Sequence, residues 1–433
     1  MINLIKNNLI YYLFILLPIS YLIGISVTEL IGLSLILYFF IRNREINFLK
    51  DKKIIFLFVL SFFFGVNAYL QIDDNLKISS IFHFRYVILV LSILFCLRYF
   101  EKIDLEIKKK TFLIIFIIMS LVLFDAIFQF FTGENLLGYQ ILNNRISGIF
   151  QAELVLGSFL IKILPFLTWI LYHSKIDINE NKIQLIIFFS LYLICIFLSG
   201  ERTSFALSLL YFIGIIIFLN QLRKIFSISF ICLIFFIILI STFKIGKSDP
   251  NNRIFIKTFH QLTNHYFITN NITETQKDEN QKKEMIKKNI LIFSEDHTGH
   301  YKLAFKLFKE NPIFGVGPKG FRHYCRKVNY DPDIGICSTH PHNFLVQIAS
   351  ETGLIGLSLY IFIIFFLIFR LIKCVNLKIY SDNKSSLIII SIGLLVNLFP
   401  LLPSGNFFNN WISLINYFLL GIYFYNYNKV FSK

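Results

Sequence analysis

CSTHPHNFLVQIASETGLIGLS, residues 337–358, holds a helix start, a helix stop and the opening of an apolar run within 22 residues. His340 precedes Pro341 and is driven towards extended backbone, while Pro341 suits the first turn of a helix over Asn343 to Glu351. Gly353 ends that helix. From Leu354 the chain turns almost wholly apolar, which sets His340 and His342 where a polar loop meets a lipid bilayer.

Composition agrees with a bilayer. Of 433 residues, 56% are hydrophobic and 17% aromatic, mean hydropathy is +0.66, and the charges gather in short clusters between apolar runs. The fold class is therefore all-α, a polytopic integral membrane protein. A net charge of +16 could suggest nucleic acid, but much of the Lys and Arg stands just beyond apolar segments, as topological anchors do, so no nucleic-acid partner is expected. No signal-peptide cleavage pattern precedes the first apolar run, which is expected to stay as an anchor.

Twelve apolar runs are expected to span: 9–26, 27–41, 54–70, 80–97, 111–131, 152–172, 183–199, 204–219, 225–243, 354–372, 386–402 and 407–425. Glu29 is expected at the turn between the first two. The loops 42–53 and 98–110 are strongly basic, whereas 71–79 carries Asp73 and Asp74 against Lys77, so the positive-inside rule puts both termini in the cytoplasm. The chain then divides into helices 1–9 over 1–243, one large external loop over 244–353, and helices 10–12 over 354–433.

That loop contains seven of the nine histidines, and chemistry is expected there. Its stretch 274–288 is a mixed-charge run read as a solvated helix or loop. Tyr301, Ala304, Phe305 and Phe308 then repeat at helical spacing with Lys302, Lys306 and Lys309 facing away, an amphipathic helix that ends before Asn311 and Pro312. GVGPKG, 315–320, matches a dinucleotide-binding pattern in letters only. A helix precedes it and Pro318 sits inside it, so it reads as a chain reversal. Cys325 and Cys337 are the cysteines placed outside, where they can pair. Cys96, Cys195, Cys232 and Cys374 fall in or beside spans.

Three features resemble the O-antigen ligase and O-antigen polymerase superfamily across about 199–358. They are the hairpin LSGERTSFALSLL with its turn at Gly200 to Thr203, the segment HYKLAFKLFKENPIFGVGPKGF, and His342 and Asn343 followed after nine residues by Gly353 and Gly356. The last spacing is the most specific. Two departures stand beside it: Leu357 and Ser358 occupy the place of a pair of threonines, and His297 and His300 stand near the start of the loop helix where family members often carry an arginine.

The resemblance implies a C-type glycosyltransferase fold in the bacterial inner membrane and, as substrate, a glycan on undecaprenyl pyrophosphate. Its acceptor would be lipid A core or another repeat unit, and no cofactor is implied. Such a donor puts its pyrophosphate at the outer interface, where planar guanidinium groups suit phosphate oxygens. Arg202, between two spans, is the leading candidate, with Arg145 and Arg322 as companions and Asn343 beside the base. A pair with Glu201 or a snorkelling anchor would equally explain Arg202. His342 is the candidate base that takes the acceptor proton, with His340 and His297 as the other candidate catalytic histidines; a plain helix cap is the alternative for His342. A metal is not expected, because no Asp or Glu stands at a companion spacing. Arg253 repeats the Asn-Asn-Arg letters of Arg145, too few to count as a repeat. A secondary transporter is the competing class, but no repeat between halves is visible and Arg85 and Asp125 are the main charges inside spans.

Overall fold

The computed structural model describes residues 2–42, 51–71, 82–259, 295–327, 338–379 and 381–431. Among these the chain is all helical, apart from isolated bridges from Glu134 to Gln140 and from Leu142 to Arg145. Helices α1 (Ile2–Leu16), α2 (Ile25–Arg42), α3 (Lys52–Gln71), α4 (Arg85–Phe100) and α5 (Leu105–Thr132) come first. Then follow α6 (Leu156–His173), α7 (Lys182–Leu198), α8 (Arg202–Phe218) and α9 (Asn220–Phe243). The loop contributes α10 (Glu295–Glu310) and α11 (Phe321–Lys327), and α12 (Phe344–Asn376), α13 (Asp382–Asn397) and α14 (Asn410–Phe431) close the chain. The mixed-charge run 274–288 and Cys337 lie outside the described residues.

Each of the twelve apolar runs carries one of these helices. Seven are long and apolar enough to cross a membrane: α2, α3, α4 with its lead-in from Phe82, α5, α6, α9 and α12. The first reversal falls at Leu17 to Gly24 rather than near Ser26, so Glu29 is not at a turn but inside α2, where its carboxylate pairs with Arg85 at 3.0 Å. The pair satisfies both charges at the end of their helices. Asp125, in α5, is likewise held: it accepts from Asn135 Nδ2 at 3.2 Å and the Leu136 N–H at 2.9 Å.

Helix α6 is the enclosed axis of the bundle. From Leu156 to Tyr172 every residue but Ser158 is buried, and Pro165 presses on Gly393 of α13, where no side chain would fit. Large apolar side chains such as Leu37, Phe62, Leu121, Phe235 and Phe365 remain exposed on the outer helices, the face a hydrocarbon solvent would cover.

The segment between α9 and α12 builds a small core of its own from Leu303, Ala304, Leu307, Val316, Phe321 and Cys325. The buried face of α10 is therefore His300, Leu303, Ala304 and Leu307, one residue out of phase with the expected stripe. Phe305 is exposed and has Lys309 Nζ 4.6 Å above its ring. Packing on α12 and α11, rather than apolar periodicity alone, sets that phase. Cys325 is disulfide-bonded, whereas Cys96, Cys195, Cys232 and Cys374 are free.

Candidate active site at the outer end of the bundle

Gly353 decides how the loop meets the membrane helix. Its backbone, φ 65° and ψ −163°, breaks α12 into a short helix from Phe344 and the long apolar segment after Leu354. Gly315 lies against the same break. A Cβ there would sit 2.5 Å from the Thr352 nitrogen, and one on Gly353 would strike the Ile313 carbonyl. This close approach lets the strap Pro312 to Gly317 hydrogen-bond along the break: Val316 N–H to Ser350 O at 3.0 Å, Gly317 N–H to Glu351 O at 2.8 Å and Leu354 N–H to Pro312 O at 2.8 Å. The glycines of GVG thus serve backbone contact rather than phosphate.

The short helix presents the histidines. Asn343 caps it, its Oδ1 accepting from the Val346 N–H at 3.1 Å, while its Nδ2 donates to Pro400 O at 3.0 Å and Leu402 O at 3.3 Å. With both ends of the amide engaged in a buried position, Asn343 clamps the loop to the bundle. His342 takes a left-handed backbone, φ 58°, and its carbonyl accepts from the Ser404 N–H at 2.7 Å. Its ring centre is 4.1 Å from that of His340 and 5.5 Å from that of His300. His342 Nε2 shares a hydrogen bond with Ser338 Oγ at 2.9 Å, and His340 bonds Thr339 Oγ1 at 3.0 Å and Ser404 O at 3.3 Å.

Burial pushes His340 down to about 3, with His342, Arg322 and His300 adding in the same direction and the Ser404 carbonyl opposing. His340 is therefore neutral near neutrality. Burial also lowers Lys319, helped by Arg322 and Arg85. Beneath the histidines, buried Glu351 accepts from the Phe321 N–H at 3.0 Å and Gln347 Nε2 at 2.9 Å, which fixes α11 and so Arg322. His297 falls on the first turn of α10, at a position whose side chain lies outside the described residues.

A second group forms around the turn between α7 and α8. Gly200, φ 66°, sits between the side chains of Arg145 and Arg253. Each of three guanidiniums is oriented through its Nε by a backbone carbonyl: Arg145 to Ser199 at 3.3 Å, Arg202 to Arg253 at 3.0 Å and Arg253 to Gly200 at 3.0 Å. Arg145 also donates to Leu154 O at 2.6 Å and pairs with Glu201 at 3.3 Å. Glu201 in turn accepts from the N–H groups of Gly157 and Ser158, at 2.9 and 3.0 Å, at the start of α6. A carboxylate at a helix N-terminus is well placed. Burial lowers Arg145, with Glu201 opposing and Arg253 adding to the lowering.

Of the expected residues, the structure gathers His340, His342 and Arg322 at one pole and Arg145 with Arg202 at the other. Among the described residues, no hydrogen bond or ion pair is seen that joins Arg202 to the histidines directly. The poles are linked through α6, where Ser158 hydroxyl bonds Glu201 and Lys162, one turn on, faces Phe344. Sequence reasoning missed Arg253 as a site residue, though its Asn-Asn-Arg context matched that of Arg145. It also missed the turn Pro400 to Asn406, which clamps the histidine loop and whose Pro, Gly and Asn content marks a turn.

No curated protein matches the chain. Residues 187–361 match the family model described as O-antigen ligase, a segment that takes in the Gly200 turn, Arg202, Arg253, Arg322, both paired histidines and the break at Gly353.

Proposed function

We propose that the protein is an envelope glycosyltransferase of the inner membrane that moves a glycan from undecaprenyl pyrophosphate to lipid A core. In this reading 244–353 is a periplasmic catalytic loop between helices 1–9 and 10–12, and both termini are cytoplasmic. The observation that carries it is the pair His340 and His342, one imidazole held neutral against the other beside Arg322, at the outer end of an apolar bundle. His342 takes the proton of the acceptor hydroxyl as its oxygen bonds to the sugar C1. The bond from C1 to the pyrophosphate oxygen breaks, and the pyrophosphate leaves with both electrons. Single displacement inverts the anomeric centre. Arginine supplies the positive charge for the leaving group, Arg202 and Arg253 first, so no metal is needed in the step.

Leu357 and Ser358 in place of two threonines support the polymerase alternative, in which the acceptor is another lipid-linked repeat. Deleting the protein and running the surface glycan on a gel separates the two. Loss of a ligase strands lipid-linked polymer, loss of a polymerase leaves single repeats attached, and an unchanged glycan profile sinks both.

A further inference from the structure

Lys162 is a cation that neither pole uses. It stands six positions into α6, about 9 Å below its outer end at 1.5 Å per residue, and is 9% exposed on the most enclosed helix of the bundle. It is therefore no snorkelling anchor on the lipid face. Lysine is rarely buried without a partner, yet no ion pair and no hydrogen bond of Lys162 Nζ is found among the described residues. Its one charge contact is the Phe344 ring, whose centre is 5.9 Å away. Asn397, which donates to the Lys162 carbonyl at 3.4 Å, is 2% exposed and leaves its Oδ1 without a partner. The Lys162 ammonium and the Asn397 Oδ1 are thus both without a hydrogen bond among the described residues.

Position says what they await. One turn before Lys162, Ser158 holds Glu201 of the arginine turn; opposite it, Phe344 opens α12 directly after His342 and Asn343. Phe344 heads a helix, whose N-terminal end adds partial positive charge to the ammonium. An anion between the two poles would meet a cation and a positive helix end. An ionisable group inside a span is by default a functional site, and among the described residues Lys162 has no charged partner.

We infer that Lys162 binds a phosphate of a membrane lipid, namely the diphosphate of the isoprenoid donor, and bridges the arginine turn to the histidine pair. This rests on the glycosyltransferase reading above. The full-length protein, purified in detergent, is titrated with geranylgeranyl pyrophosphate, with geranylgeranyl monophosphate and phosphatidylglycerol vesicles as competitors. Lys162→Met is expected to weaken pyrophosphate binding about ten- to a hundredfold, the scale of a lost charged hydrogen bond, and Lys162→Arg to stay within a few-fold of the parent. If Lys162→Met does not insert, Lys162→Gln is held to the same criterion. Unchanged affinity in a variant with native melting temperature overturns the inference and leaves the glycosyltransferase reading standing. Phosphatidylglycerol competing as well as the pyrophosphate also overturns it, because the cation would then serve bulk lipid. A parent protein with no affinity for the pyrophosphate overturns the glycosyltransferase reading itself.

Discussion

The imidazoles of His340 and His342 lie with ring centres 4.1 Å apart and planes inclined at 48°, close enough that both cannot carry a proton without strong repulsion. The buried ring is neutral, and the less buried one, bonded to Ser338, is the one that the proposed reaction uses as base. The two histidines therefore have different tasks despite a spacing of two residues.

Replacing His342 separates chemistry from binding. His342→Ala is expected to keep lipid pyrophosphate affinity while slowing glycan transfer about a hundredfold to ten-thousandfold, the usual scale for a lost general base. Transfer assayed in vesicles against bound donor gives both quantities. Near-parental turnover in a folded, inserted protein would make His342 a structural residue of the loop and move the role to His297 or His300.

Arg253 provides the corresponding test at the other pole. Its Nε bond to the Gly200 carbonyl aims it at the same turn as Arg145 and Arg202. Arg253→Gln should weaken lipid pyrophosphate binding about ten- to a hundredfold and make the residual binding less sensitive to salt. Arg145→Gln should act differently. It removes the partner of Glu201 and the Leu154 carbonyl, so its main effect is a lower melting temperature. Equal binding by the Arg253 variant would limit that guanidinium to bracing the turn.

His340 ties the loop to pH. Its imidazole titrates near 6.5 when free in an unfolded chain and near 3 when buried here. Between those values the unfolded chain takes up a proton that the folded loop refuses, so stability is complete above about pH 6.5 and is lost as pH falls towards 3. Limited proteolysis around Ser338 to Asn343 should accelerate on acidification, and His340→Asn should flatten that response. An unchanged slope in the variant would mean that another group carries the pH dependence.

Much of this was legible in the sequence because the bilayer makes burial patterns long and unbroken. The twelve apolar runs, the helix stop at Gly353 and the loop helix ending before Asn311 all follow from local rules. What escaped was set by contacts between distant segments. Glu29 looked like a turn residue because its partner Arg85 is 56 positions away. Arg253 gave no local signal, since its meaning comes from the Gly200 carbonyl. The bonds from the Asn343 amide to the carbonyls of Pro400 and Leu402, 57 and 59 positions away, likewise have no local signal. The phase of α10 shifted by one residue for the same reason: His300 turns inward to meet Phe321 and His342.

The break at Gly353 can be tested through its steric logic. At φ 65° and ψ −163° an L-residue is strained by about 1–3 kcal/mol, and a Cβ would in addition meet the Ile313 carbonyl and lie 2.6 Å from the Phe314 nitrogen. Gly353→Ala should therefore push the strap away from Ser350 and Glu351, lower the melting temperature of the detergent-solubilised protein and, by moving α12's first turn, reduce transfer. Gly315→Ala, on the other side of the same contact, should do the same, and the two losses should not add, because either one opens the gap. Gly65→Ala is the control: it lies within α3 with open space where its Cβ would go, and it should stabilise by about 0.5–1 kcal/mol as alanine replaces glycine in a helix. A Gly353→Ala protein as stable as the parent would mean that the strap and α12 are not in the close contact on which the placement of His340 and His342 depends.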